Sequence, residues 1–315
     1  MSDRAHVRPG DDLRDTLPAA GFEGDFLVYV DPVSEGPVPA DGDLLDIRAR
    51  YLAEVDDRPL DEVRGRLAAE RDLPGRLSGY ATVTLWFEQD WFCQAILARL
   101  LAAVPDHPDL RLMSTDRFPG VDPFYGFGQL DADQLATFAG HDAPVTAAQR
   151  ASGSRAWDAL RAPTPVPLQE LVDDADPALP YLAGAVRRHL QEYPWRSDGL
   201  SLTERLCLAA VPGDLPAVFT NVQAADPAPF QGDTQIGRVL DRLATADRPA
   251  LSISDGVFTL TPYGADLLAG RARWVTAPRW LGGLLVNSAT WVYDDVAERV
   301  STGDPGHPLG QVLDL

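Results

Sequence analysis

The chain has no lysine, so all 27 of its basic side chains are arginine. A Walker A phosphate-binding loop needs its lysine, and a Schiff base with a carbonyl substrate or with pyridoxal phosphate needs a lysine amine. Both kinds of chemistry are therefore excluded. Positive charge is also in deficit, since 47 acidic side chains give a formal net charge of −20. A charge of this sign repels nucleic acid, so we do not expect nucleic acid as a partner.

Cysteine and long apolar runs are scarce as well. The two cysteines, Cys93 and Cys207, cannot build a disulfide framework or a cysteine-based metal site, and both lie in apolar helical patterns that predict burial. No apolar run reaches the length of about 18 residues that a membrane-spanning helix needs. The first residues are charged where a secretory signal would be apolar. The sequence thus predicts a cytoplasmic protein without membrane contact.

Short β-prone segments alternate with helical patterns in the first part of the chain. The predicted strands span residues 4–8, 25–30, 81–87 and 110–115, and the predicted helices span residues 44–55, 61–69 and 91–104. Strands that alternate with helices favour a parallel sheet with helices on its faces. Residues 1–130 are therefore predicted to form a Rossmann-like α/β domain.

The rest of the chain divides into two further regions. Residues 131–198 form a predicted helical connecting region, in which His189 is expected on an exposed helix face. Residues 199–315 contain three predicted helices and then a hairpin around Asp255-Gly256, which is the order of a winged helix. An aromatic segment closes the chain. The predicted fold is α/β, with a Rossmann-like parallel-sheet domain, a helical region and a winged-helix-like C-terminal unit.

Several segments, in order along most of the chain, resemble a bacterial family catalogued as domain of unknown function 1835. They include HVRPGDDL, FLVYVDPVSEGPVP, LWFEQDWF, GFGQL, GLSLTERLCL, PFQGDTQIGRVLDRL and FTLTPYGADLLAGRARW. The resemblance implies a Rossmann-type N-terminal part and a helical C-terminal part, and it implies no activity. The chain departs from the family pattern at Pro9, where relatives often carry Asn, and at Gln89, where His is frequent.

Carboxylates follow all four predicted strands of the first domain. They are Asp11, Asp12, Asp31, Glu35, Glu88, Asp90 and Asp116. Ligands of parallel α/β sheets bind beyond the carboxyl ends of the strands, where such residues would meet. Crowded carboxylates raise one another's pKa towards the range that general acid/base catalysis needs, and they attract ammonium groups. We therefore predict Glu88, Glu35, Asp90 and Asp11 as catalytic residues.

Other residues are candidates for substrate binding. Asp12 and His6 lie at the end of and within the first strand, and the loop with Gly126, Gly128 and Gln129 allows close backbone approach. That loop lacks the third glycine of the dinucleotide fingerprint, so no organic cofactor is predicted. The carboxylates could hold a divalent metal, but no His-x-x-x-His or Asp-x-Asp-x-Asp spacing supports this, so no metal site is predicted.

The same carboxylates also have an ordinary structural interpretation. Asp is common after strands as a turn former and helix cap, and Asp90 could simply cap the helix that begins at Trp91. We expect an enzyme of transferase or lyase type, acting on a small amine-bearing metabolite by transfer, elimination or cyclisation. The alternative is a ligand-sensing regulatory or scaffold protein whose C-terminal unit docks a protein or DNA. A protein partner or a second copy of the chain fits either hypothesis.

Overall fold

The computed structural model describes residues 2–275, 277–287 and 289–303, which divide into two compact units. The first unit holds the described residues up to Val186 together with residues 282–284, and the second holds the other described residues from Arg187 onwards. Residues 304–315 of the predicted C-terminal region lie outside the described residues. The division falls within one helix, whereas the sequence predicts boundaries near residues 130 and 198.

The first unit contains strands and helices in alternation. The strands are β1 (Arg4–Arg8), β2 (Asp25–Val28), β3 (Gly36–Pro37), β4 (Thr82–Trp86), β5 (Leu110–Met113) and β6 (Ala143–Pro144). The helices are α1 (Thr16–Ala19), α2 (Leu44–Val55), α3 (Leu60–Arg71), α4 (Leu73–Arg76), α5 (Trp91–Ala103), α6 (Ala132–Ala136), α7 (Ala147–Arg161), α8 (Val166–Asp173) and α9 (Leu182–Leu190). Short 3-10 helices cover Leu77–Gly79 and Phe127–Gln129.

A central sheet of five strands has the order β2-β1-β4-β5-β6. The first four strands are parallel, with Val7 of β1 opposite Leu27 of β2 and Leu85 of β4, so the predicted mixed α/β fold with a mostly parallel sheet is confirmed. Within the predicted helical connecting region, the short strand β6 pairs antiparallel with β5 at the sheet edge. An edge position tolerates Pro144, which has no backbone N–H to donate.

The strand order creates a crevice between β1 and β4. From β1 the chain passes to β2 on one side and later returns to β4 on the other side, so the loops after β1 and β4 diverge. A split of this kind is where open α/β sheets bind their ligands.

The core of the first unit forms on the sheet and around α5. Val7, Val83 and Leu85 of the sheet are fully buried. Helix α5 is apolar on nearly all sides because the sheet and α7 both cover it. Gly153 of α7 permits this approach, since a Cβ at that position would lie 2.7 Å from Leu101 Cβ. Burial on both faces explains why α5 lacks a polar stripe.

The second unit begins with helices and ends mostly in strands. The elements after α9 are α10 (Leu202–Ala210), α11 (Leu215–Ala225), α12 (Asp233–Thr245), β7 (Leu251–Ser254), β8 (Val257–Leu260), α13 (Pro262–Leu268), β9 (Arg279–Gly282), β10 (Leu284–Val286), β11 (Trp291–Asp294) and β12 (Arg299–Thr302). Strands β7 and β8 form the predicted hairpin, and Asp255 and Gly256 both have positive φ in its turn. The aromatic segment that closes the sequence thus supplies strands.

The prediction that His189 is exposed is wrong, since its side chain is fully buried. The polar side of α9 faces a buried network in which Arg188 binds Asp226, Glu192 and Thr203. A helix face rich in arginine is usually solvated, but this guanidinium finds enough carboxylate partners to be buried. Among the described residues, no helix is long and apolar enough to cross a membrane.

Candidate functional site

A cavity of about 330 Å³ lies at the carboxyl ends of β1 and β4. Six of the nine predicted site residues line it, namely Asp12, Glu88, Asp90, Gly126, Gly128 and Gln129. The remaining lining residues are Arg8, Pro9, Phe92, Cys93 and Tyr125. The crevice that the strand order creates is therefore the place where most of the predicted residues meet.

An ion pair between Arg8 and Glu88 joins the two strand ends. Arg8 Nη1 lies 2.5 Å from Glu88 Oε2, and the two residues are only 6% and 1% exposed. Arg8 also holds Asp12 through two bonds, from Nε to Oδ1 at 3.0 Å and from Nη2 to Oδ2 at 2.7 Å. Burial by itself would lower the pKa of Arg8, but Glu88 and Asp12 raise it well above its ordinary value. The guanidinium is therefore a permanent charge in the wall of the cavity.

Glu88 has further partners that fix the neighbouring loop. Its Oε1 accepts the backbone N–H of Phe127 at 2.8 Å, and its Oε2 accepts the Cys93 thiol at 3.0 Å. Both carboxylate oxygens are thus engaged by the protein itself. This arrangement suits Glu88 to holding Arg8 and the loop in place, and it leaves proton transfer to a neighbouring group.

The two glycines of the predicted loop make room for carboxylates. A Cβ on Gly126 would lie 2.6 Å from Glu88 Oε1, and a Cβ on Gly128 would lie 2.6 Å from Asp12 Oδ2. Contacts this short are sterically forbidden to any larger residue unless the carboxylates move. The Gly-Phe-Gly sequence therefore serves the packing of Asp12 and Glu88 against the loop backbone.

Asp90 is the carboxylate best placed to exchange a proton. It is half-buried and caps α5, with Oδ1 accepting the Cys93 N–H at 3.1 Å. Burial and the charge of Glu88 raise the pKa of Asp90 to about 6, although the Cys93 N–H and Arg8 partly oppose this. Asp90 therefore caps α5, as the sequence suggested, and the pKa of its carboxyl group is also raised to about 6.

Cys93 completes a small set of potential metal donors. Ligand atoms of Glu88, Asp90 and Cys93 lie within 4.8 Å of one another. Burial raises the pKa of the Cys93 thiol well above its ordinary value, and the nearby charges of Asp90 and Glu88 add to this effect. A metal here would have to deprotonate the thiol and displace Arg8 from Glu88. The donor set alone therefore gives weak support to a metal site.

Three predicted residues lie away from this cavity. Glu35 follows β2, in a loop whose carbonyl oxygens at Pro32 and Glu35 accept bonds from Arg48. Asp11 is exposed beside Asp12, and its carbonyl accepts the Arg14 N–H at 3.0 Å. His6 lines a separate cavity of about 480 Å³ on the sheet face, where it accepts the Trp86 Nε1–H. The expected meeting of Glu35, Asp11 and Glu88 at one pocket does not occur.

Asp31, the carboxylate that follows β2, binds two arginines and does not line the cavity. Asp31 is 1% exposed and binds Arg48 at 2.7 Å and Arg99 at 2.6 Å. Burial alone would raise the pKa of Asp31, but the two arginines hold it below its ordinary value. This network fastens α2 and α5 to the end of β2, so Asp31 is satisfied internally.

Sequence reasoning missed the two residues that organise the site, Arg8 and Cys93. One signal for Arg8 was available, because it stands four positions before Asp12 at the end of a strand, but the pairing with Glu88 joins residues 80 positions apart. Cys93 was predicted only as a buried apolar residue, which its 4% exposure confirms.

In comparisons with known proteins, no family model matches the chain and no curated protein matches it. The resemblance to the domain of unknown function 1835 family remains a prediction that rests on the quoted segments.

Replacing Asp90 by Asn should remove one component of the pH dependence of stability. A pKa raised to about 6 means that the folded state holds the Asp90 proton more tightly than the unfolded state does. The resulting stabilisation is full below about pH 4 and is lost as the pH rises to about 6, by up to about 3 kcal/mol. Asn keeps the helix cap and cannot ionise, so the Asp90→Asn variant should gain stability relative to wild type over this interval.

Urea unfolding of both proteins at pH 4, 5, 6 and 7.5 measures this difference. The exposed neighbour Asp11 provides the control, because Asp11→Asn should follow the wild-type pH dependence. A constant free-energy difference between wild type and Asp90→Asn at all four pH values would show that Asp90 titrates normally.

Proposed function

We propose that the first unit is a Rossmann-like domain of a cytoplasmic enzyme that acts on a small amine-bearing metabolite without an organic cofactor. The observation that carries this proposal is the sharing of one cavity by three carboxylates and a single guanidinium. Arg8 is paired with Asp12 and Glu88, and Asp90 adds a further negative charge whenever it is ionised. The excess of carboxylate favours a cationic ligand.

The size and the rim of the cavity support the same ligand class. A volume of about 330 Å³ suits a metabolite of a few heavy atoms. Phe92 and the 39% exposed Tyr125 add aromatic rings to the lining. Aromatic faces next to carboxylates attract ammonium groups through the negative charge of the ring faces.

The proposed chemistry assigns separate roles to the carboxylates. Asp12, whose side chain is 41% exposed, orients the substrate ammonium. Asp90 in its ionised form accepts a proton from that nitrogen, which frees the lone pair to form a new bond in a transfer or cyclisation. The same proton then passes from Asp90 to the leaving group. Glu88 acts as a positioning residue, because both of its oxygens hold protein groups.

Binding of simple amines tests this proposal. Butylamine and putrescine should raise the melting temperature of the wild-type protein at pH 7.5, whereas uncharged 1-butanol should not. The variants Asp12→Asn and Asp90→Asn should each weaken amine binding about tenfold or more, since each removes one charge from the cavity. Thermal shift and isothermal titration calorimetry measure both effects.

The control is Asp11→Asn, which removes an adjacent carboxylate that does not line the cavity. This variant should bind amines like wild type. Equal loss of binding in Asp11→Asn and Asp12→Asn would mean that general negative charge attracts the amine, and binding that survives in both cavity variants would place the site elsewhere.

A second candidate function concerns the second unit, which we propose is a winged-helix-like docking module of a ligand-sensing regulatory or scaffold protein. Helices α10, α11 and α12 surround a core that includes Leu208, Val218 and Leu240. Gly213, between α10 and α11, bridges antiparallel to Phe258 of β8, as the first strand of a winged helix would. Ile253 and Val257 on the hairpin are 55% and 39% exposed. Exposed apolar residues on this hairpin favour a protein partner or a second copy of the chain.

The charges of α12 argue against DNA as the partner. In a winged helix this helix would enter the major groove, yet Asp233 and Asp241 are exposed on it together with Arg242. We expect no salt-sensitive binding of the protein to random duplex DNA in a fluorescence anisotropy titration at low ionic strength. Binding that weakens steeply as salt is added would favour a DNA-docking role instead.

A further inference from the structure

A third cavity, of about 400 Å³, lies along the outer edge of β2. Its floor includes the apolar side chains of Leu27, Val30 and Leu73. Three arginines from different segments line it: Arg14 after β1, Arg66 of α3 and Arg76 of α4. We call this cavity the β2-edge groove. None of its lining residues lines the cavity of the candidate site.

The three arginines of the β2-edge groove make no ion pair with the described carboxylates. In the part of the chain that the structure describes, no acidic side chain lies within ion-pair distance of Arg14, Arg66 or Arg76. Arg14 instead stacks on the Phe26 ring at 5.0 Å. The Nε of Arg66 is buried without a hydrogen-bond acceptor. A buried donor without an acceptor is costly, and an acceptor from a bound ligand would remove that cost.

One carboxylate does line the groove, but its charge is engaged elsewhere. Glu70 is 6% exposed, its Oε1 accepts the Asp31 N–H at 2.7 Å, and it lies 4.0 Å from Arg99. Burial raises the pKa of Glu70 above its ordinary value, and the charge of Asp31 adds to this effect. The groove is therefore a local positive site in a chain whose formal net charge is −20.

The edge position of β2 adds backbone groups to the groove. Among the described strands, β2 pairs only with β1, so no described strand meets the backbone groups on its other side. Phe26, Leu27 and Val28 of this strand all line the groove. Backbone N–H groups at an open edge can donate to the oxygens of a bound ligand.

We propose that the β2-edge groove binds a small organic anion, with a phosphate or carboxylate group on the three arginines and an apolar body on Leu27, Val30 and Leu73. Arginine presents a planar fork of donors that matches both anionic groups. The proposal does not depend on the function proposed for the first cavity, because the two cavities use different residues.

Calorimetric titration with phenyl phosphate at low ionic strength tests the proposal. Wild-type protein should bind phenyl phosphate with a dissociation constant in the millimolar range or below. Inorganic phosphate, which lacks the apolar body, should bind more weakly, and phenol, which lacks the charge, should not bind. Benzoate in a parallel titration shows whether the groove prefers a carboxylate or a phosphate.

Arg66→Gln should weaken the binding of phenyl phosphate about tenfold or more, and Arg76→Gln, at an exposed position, should weaken it in the same direction. The matched control is Arg117→Gln, since Arg117 is 83% exposed and does not line the groove. Circular dichroism shows whether each variant folds. If Arg66→Gln does not fold, the variant at the exposed Arg76 decides the outcome. Failure of wild type to bind phenyl phosphate or benzoate, wild-type affinity in the folded groove variants, or an equal loss in Arg117→Gln would overturn the proposal.

Discussion

The buried ion pair between Arg8 and Glu88 is the interaction on which the candidate site depends. It connects the ends of β1 and β4 at the point where the two loops diverge. Both residues are buried, so removing either partner would leave the other as an uncompensated buried charge. Because Glu88 also accepts the Phe127 N–H, the ion pair fixes the loop that forms the opposite wall. The same guanidinium also holds Asp12.

Placing a permanent positive charge among carboxylates separates their roles. Asp12 and Glu88 share the Arg8 guanidinium, whereas burial and the nearby charge of Glu88 raise the pKa of Asp90 to about 6. Neighbouring carboxylates with different environments are a recurring way to obtain one acid/base group near neutral pH. After β2 the result is the opposite. Asp31 is buried, but two arginines bind its two carboxylate oxygens and hold its pKa below its ordinary value. The pKa of a strand-end carboxylate in this domain thus depends on how many arginines bind it.

Local sequence signals predicted the parts of the fold that depend on neighbouring residues. The Asp255-Gly256 turn is present where the sequence predicts it. Asp131, Thr146 and Ser201 are each followed three positions later by Gln or Glu, and each forms the capping box that this spacing favours. The partners of buried charges could not be predicted in this way. Arg8 meets Glu88 across 80 positions and Arg99 meets Asp31 across 68, so their meeting depends on strand order. Carboxylates therefore follow the strands as the sequence predicts, but Glu35 and Asp11 do not share the cavity that Glu88 lines.

A double-mutant cycle on Arg8 and Glu88 tests the central claim most directly. The free energies of unfolding would be measured by urea titration for wild type, Arg8→Met, Glu88→Gln and the double variant. Each single change removes one partner of a buried pair and should cost roughly 3–5 kcal/mol. The double variant should cost less than the sum of the two single changes, by a coupling energy of about 2–3 kcal/mol. Losses that simply add would show that the two residues stabilise the protein independently, and the account of the site would be wrong.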